Sequence, residues 1–142
     1  MSKTNAFETD FLKLMLQAVA IANLADDAAS SPATNLYFSL HTADPGEGGD
    51  QTTNECSYGA YARVAVVRTS SGFTVASGVG NPVANVDFPS ASGGTQTATH
   101  FGIGKSASGS GYLMWSGPIT PNIAVSVGVT ARLTTATSIA ED

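Results

Sequence analysis

The chain is poor in charge, in basic residues above all, and nearly without cysteine, and each shortage excludes a class of protein. Six Lys and Arg stand against eleven Asp and Glu, a formal net charge of −5, and charged residues are only 12% of the 142. A surface that grips a phosphate backbone needs clustered cations. Here Lys3, Lys13, Arg63, Arg68, Lys105 and Arg132 are scattered, so nucleic acid is not an expected partner. Cys56 is the single cysteine, which excludes an internal disulfide and gives no sign of an oxidising compartment. Long apolar runs are missing too. Residues 12–24 are interrupted by Lys13, Gln17 and Asn23 and are too short to span a bilayer. The start, MSKTNAFETDFLKL, carries acids where a secretory leader carries bases. The expectation is a protein made in the cytosol, or belonging to a particle assembled there, with no membrane partner.

Ser, Thr, Gly, Ala and Asn fill the place of the missing charges, where an ordinary soluble domain has about a quarter of its residues charged. A surface of this kind can lie against another protein without stripping water from many ions, which is expensive when the charges end unpaired. It is equally the surface of any β protein rich in small residues. A chain of this length suits one domain and can bury on the order of two-thirds of its unfolded surface, so it needs no metal or disulfide as a staple.

The first element reads as a helix. Phe7, Phe11, Leu14, Met15, Ala18, Ile21 and Ala22 recur at spacings of three and four. Asn5 is placed as N-cap, and Glu8 three residues on completes a capping-box-like start. Leu12, Leu16 and Val19 widen the apolar arc, which suits burial on more than one side. Such an arc packs on its own domain or is shared with a second subunit; Phe7, Phe11, Leu14 and Ala18 are the candidate interface residues for self-association, most simply as a dimer, with a trimer as the alternative. A small, polar linker with Pro32 follows over residues 25–34, dividing the chain into 1–31, helix and linker, and 32–142, a β domain.

From residue 35 the period changes to two. Leu36, Phe38 and Leu40 alternate with Tyr37, Ser39 and His41, as in a half-buried strand. A long loop with Asp44-Pro45-Gly46 and Gly48-Gly49-Asp50 turn signals leads to a β-branched run over 61–69. Short strands are expected near 73–76, 83–88, 97–104, 111–116, 123–127 and 129–134, separated by turns at Gly117-Pro118 and Pro121-Asn122 among others. The Ser/Gly stretch 106–111 reads as mobile. Short strands broken by Gly, Pro, Ser and Asn indicate an antiparallel sandwich or barrel, and the absence of helical crossovers argues against a parallel sheet. The expected class is mainly β, an antiparallel sandwich with one N-terminal α-helix.

No constellation of residues carries catalysis. A metal at His41, Asp44, Asp50 and Glu55 would need at least three of them to converge, and an Asx turn before Pro45-Gly46 already accounts for Asp44. His100 alternates with Phe101 and Ile103, as a strand residue does. Gly104-Lys105-Ser106 ends like a phosphate loop, but Thr99 stands where that loop needs glycine, and no helix follows. There is no G-x-S-x-G elbow and no G-x-G-x-x-G opening a helix. Cys56 has Glu55 beside it and no base. Tyr37, Tyr58, Tyr61, Tyr112 and Trp115 form either a stacking platform or ordinary strand aromatics. The expectation is no catalytic residue, no cofactor and no metal; a small hydrolase using His41 or His100 as base is the remote alternative.

One resemblance adds to this reading. Leu40 to Gly46 (L-H-T-A-D-P-G), Thr53 to Glu55 (T-N-E) and Tyr61 to Val64 (Y-A-R-V), with FPSASGGTQTATHFGIG and GYLMWSGPI downstream, resemble a family of small proteins of tailed bacteriophages, and among them the capsid cement, or decoration, proteins of short-tailed phages. The resemblance covers most of the chain after residue 35. It implies a jelly-roll-like β domain that sits as oligomers on the capsid exterior, contacts the major capsid protein and bridges capsomers. The competing expectation is a tail- or fibre-associated binding module.

Overall fold

The computed structural model describes residues 5–21 and 32–140. Its elements are α1 (Asn5–Gln17), β1 (Asn35–His41), β2 (Val64–Val67), β3 (Phe73–Ala76), β4 (Val79–Pro82), β5 (Val86–Asp87), β6 (Gln96–Gly104), β7 (Leu113–Val125), β8 (Arg132–Leu133) and β9 (Ile139–Ala140). The class is the expected one, mainly β with antiparallel sheets and one N-terminal helix. The described residues form two compact units: 5–21, 32–35, 66–85 and 133–140 make the first, 36–65 and 86–132 the second. The side chain of Asn5, Ala22 and the expected linker up to residue 31 lie outside the described residues.

In the first unit the apolar arc of α1 is anchored by Leu12 and Leu16, both fully buried. Leu16 reaches its place because position 80 is glycine: its Cδ1 lies 2.4 Å from where a Cβ of residue 80 would stand. Gln17 Nε2 donates to the Phe73 carbonyl at 2.8 Å, and the Gly78 amide donates to Thr9 Oγ1 at 2.8 Å. The helix therefore lies along the β3–β4 hairpin, whose register runs from Phe73↔Pro82 to Ala76↔Val79. The hairpin closes through Ser77 and Gly78, both at positive φ, which matches the twist of the strands. On its other side β4 pairs with β9, through Val79↔Ala140 and Gly80↔Ile139.

The apolar spacing continues to Ile21, but the helix stops at Gln17, with Ala18 at φ 55°. The last carbonyls of a helix have no partner within it and carry the negative end of its dipole. The Val19 amide takes the Lys13 carbonyl, and the Arg68 guanidinium donates from Nε to Met15 O and from Nη2 to Leu14 O, each at 2.6 Å. An arginine from 53 residues away thus supplies the cation that the helix itself lacks, since no basic residue lies in its last turn.

The second unit is built on β1, β6 and β7, neighbours in that order in one sheet. Along β1, Phe38 faces Ile103 and Leu40 faces Phe101 across the β6 ladder, and all four are buried. The opposite side of β1 departs from the expected half-buried pattern: Ser39 and His41 are also fully buried. They can be, because each polar atom has a partner. Ser39 Oγ meets His41 Nε2 at 2.8 Å, and His41 Nδ1 meets the Thr53 carbonyl at 2.8 Å.

The two expected strands around 111–116 and 123–127 fall within β7, which runs through Gly117-Pro118, but its ladder with β6 is interrupted at the expected Pro121-Asn122 turn: His100 pairs with Pro118 and Ala98 with Ile123, leaving residues 119–122 without a β6 partner. β7 is the outer strand of its sheet, the position where a proline without an N–H is tolerated. The Ser/Gly stretch 106–111 is fastened. Arg63 donates to the Ser106 and Gly109 carbonyls at 2.9 and 2.8 Å. The fully buried Gln51 grips the Ser106 peptide from both sides, accepting from its N–H at 3.0 Å and donating to its carbonyl at 3.3 Å. A Cβ at Gly104 or Gly111 would strike the Gln51 carboxamide, at 2.2 and 2.1 Å, so both glycines make room for it.

Candidate ligand-binding cleft

The residues that carry the sequence resemblance interlock in space. The Thr42 amide donates to Asn54 O at 2.8 Å, Asn54 Nδ2 to Asp44 O at 3.1 Å, and the Cys56 amide returns to Leu40 O at 2.8 Å. Asn54 holds φ at 55°, a left-handed position that asparagine tolerates better than most residues. Glu55 accepts from Arg63 Nε at 2.7 Å and Nη2 at 2.8 Å, a bidentate pair with side chains 15% and 2% exposed. Tyr61 Oη donates to the same carboxylate at 2.9 Å and accepts the Leu40 amide at 3.0 Å. The T-N-E and Y-A-R-V segments are thus the frame that holds the loop after β1.

Within that frame the loop turns outward. Asp44 Oδ1 accepts the Gly46 amide at 2.9 Å, the expected Asx turn, and Gly49 N–H closes on Gly46 O at 3.1 Å. Asp44 and Glu47 then face β7 across a cleft of about 370 Å³. Its other wall is His100 of β6 with Leu113, Met114 and Pro118 of β7, and Trp115 runs along it. No Lys or Arg lines the cleft. Glu47 makes no hydrogen bond or ion pair with any described residue. His100 Nδ1 meets Thr99 Oγ1 at 2.9 Å. Acceptors on one wall and apolar surface on the other are the ingredients of a small-ligand site.

The expected chemical candidates fall in different places. His41 and Ser39 form a hydrogen-bonded pair, but both are 0% exposed and the pair is sealed under Gly102, where an added Cβ would lie 2.6 Å from each. Cys56 is buried, and burial pushes its thiol up to about 11, which keeps it protonated. Tyr58 is in the core, edge-to-face with Tyr61 at 5.2 Å, and Tyr61 stacks on Phe88 at 6.2 Å. Tyr112 is 66% exposed with Lys105 Nζ 5.8 Å from its ring centre. The aromatics therefore do not form one platform. Of the helix residues, Phe7 is 39% exposed, while Phe11, Leu14 and Ala18 are half-buried. No signal within the sequence marks Glu47 or Met114, because the two walls come from segments more than fifty residues apart.

His41 gives the fold a pH dependence with a fixed sign. Burial, outweighing the bond to Thr53 and the attraction of Glu55, holds its imidazole below 6.5. The unfolded chain then binds the extra proton first as pH falls. Stability supplied by neutral His41 is complete above pH 6.5 and is lost from there down toward the lowered folded value. Urea denaturation at about pH 7.5 and about pH 5 is expected to show a fall in midpoint for the native chain and a smaller fall for His41→Gln; equal falls would assign the effect elsewhere.

Fold and cleft together define a small antiparallel β protein that presents an acidic, glycine-rich loop beside an open strand edge. A family described as the podophage GP4 fiber I protein gp80 matches residues 5–140, and the chain belongs to that family. It is therefore a structural protein of a short-tailed phage. No curated protein matches the chain.

Proposed function

We propose that the chain is a fibre-associated binding module of a short-tailed phage virion, acting by recognition and not by catalysis. The observation that carries this reading is the match of nearly the whole chain, residues 5–140, to a family described as a fiber protein. The cleft supports it, since a loop poised over an uncovered strand edge is a means of engaging a ligand. The sealed Ser39–His41 pair offers no route for substrate and fits a purely structural role. Neither nucleic acid nor membrane is invoked as partner, and self-association is retained from the wide apolar arc of α1.

Capsid cement is the second reading. It rests on the low charge, 12% of residues, and on the likeness of residues 40–46, 53–55 and 61–64 to cement proteins. In that case oligomers would lie on the capsid exterior, bind the major capsid protein and bridge capsomers. Electron microscopy of virions carrying gold-labelled protein separates the two. Label on the tail apparatus, at a handful of copies, is the expected result; label over the whole shell, at hundreds of copies, would replace the fibre reading with cement.

A further inference from the structure

We propose that the cleft between the 44–49 loop and β7 binds a neutral sugar ring; the inference rests on the binding-module reading and names the ligand class. The argument starts from what the cleft requires of a ligand. Asp44 and Glu47 place two carboxylates on one wall, and no Lys or Arg lines the cleft to offset them. A ligand that is itself anionic, an acidic sugar or a phosphate, meets the repulsion of two carboxylates there with no Lys or Arg to counter it. Carboxylates accept hydrogen bonds and do not donate them, so the ligand must bring donors. One oxygen of Asp44 is committed to the Gly46 amide, while neither Glu47 oxygen is hydrogen-bonded or ion-paired to a described residue.

A cationic amine would also bring donors, but it fits less well. Both carboxylates are exposed, and an exposed ion pair is worth roughly 0–1 kcal/mol. The opposite wall also presents groups that an ammonium cannot satisfy. β7 is the outermost strand of its sheet among the described residues, so its outward main-chain N–H and C=O groups are not spent on a neighbouring described strand. His100 offers the ring nitrogen not engaged by Thr99, which is a donor or an acceptor according to tautomer. A hydroxyl complements every one of these, because it donates and accepts. Adjacent sugar hydroxyls supply paired donors to a carboxylate, and the C–H face of the ring suits Leu113, Met114 and Pro118. The volume, about 370 Å³, lies at the small end of ligand sites.

The test uses the purified full chain and a panel of methyl glycosides of neutral hexoses, with sialic acid and a lysine-rich peptide as comparators, measured by saturation-transfer NMR and calorimetry. At least one neutral glycoside is expected to bind, with a Kd on the order of 1 mM. Glu47→Gln and His100→Ala should each weaken it about tenfold, a change of about 1.4 kcal/mol, while thermal melting stays unchanged. Sialic acid should not bind. The proposal is overturned if no neutral glycoside binds, if binding survives both substitutions, or if the lysine peptide binds more tightly and depends on Glu47. The assay does not involve the virion. Sugar binding by a protein whose label covers the shell would overturn the fibre reading and leave this site standing, and label on the tail with no sugar binding would do the reverse.

Discussion

Replacing Phe38 with alanine is expected to cost about 3–5 kcal/mol, the range for emptying a buried aromatic site. Phe38 is 0% exposed in β1, lies opposite Ile103 and is flanked by Leu36 and Leu40, all buried. The cost combines lost transfer energy with a cavity that cannot collapse, because the β6 ladder fixes the backbone on one side. Against a total of roughly 5–15 kcal/mol for a domain, this is a large fraction. It should lower the thermal midpoint by roughly 10–20 °C and the urea midpoint with little change in slope. Val127→Ala is the matched control: Val127 is 68% exposed, and surface changes of this kind stay within about 0.5 kcal/mol. Equal losses for the two would mean that Phe38 is not at the centre of the core.

Much of this fold is legible in the sequence, and the parts that are not share one cause. Spacing along a segment reveals its period, so α1, β1, β3 and β6 are found near their true places. Spacing does not reveal what lies across from the segment. The helix arc is wide, and Leu12 and Leu16 become its deepest residues because Gly80 admits Leu16, a fact of another strand. β4 and β9 are short and their apolar residues few, so they exist through their ladder with β3 and each other. Pro118 reads as a break, but β7 is an edge strand that carries it, while the break read at Pro121 is there as the unpaired step of residues 119–122. The 106–111 stretch has the composition of a mobile linker, yet its anchors, Arg63 and Gln51, lie more than forty residues earlier. The cleft is hidden for the same reason, since Glu47 and Met114 meet only in the folded chain. The Asp44 turn and the interlocked L-H-T-A-D-P-G, T-N-E and Y-A-R-V segments are legible because their bonds span at most 21 residues, with Arg63 to Glu55 spanning only eight.

That ion pair carries the second large effect. Arg63→Met is expected to destabilise the protein by about 3–5 kcal/mol, the range for removing one partner of a buried salt bridge. Two losses combine. The Glu55 carboxylate, 15% exposed, keeps the Tyr61 hydroxyl but loses both guanidinium bonds. The Ser106 and Gly109 carbonyls lose the Arg63 donors that fasten their loop. The two losses are separable. Adding Glu55→Gln removes the stranded charge, so the double variant should be more stable than the sum of the single changes by about 1–3 kcal/mol, a coupling of the size seen for residues in one network. The loop is not restored by that second change. Amide exchange across residues 106–111 should therefore speed up in Arg63→Met and stay fast in the double variant, while Ser106, whose N–H is held by Gln51 Oε1 at 3.0 Å, stays the slowest of the group. Denaturation of the four proteins in the cycle measures the first effect and hydrogen exchange the second. Strict additivity would show that Glu55 relaxes into water once Arg63 is gone, and unchanged exchange would show that Gln51 alone holds the loop.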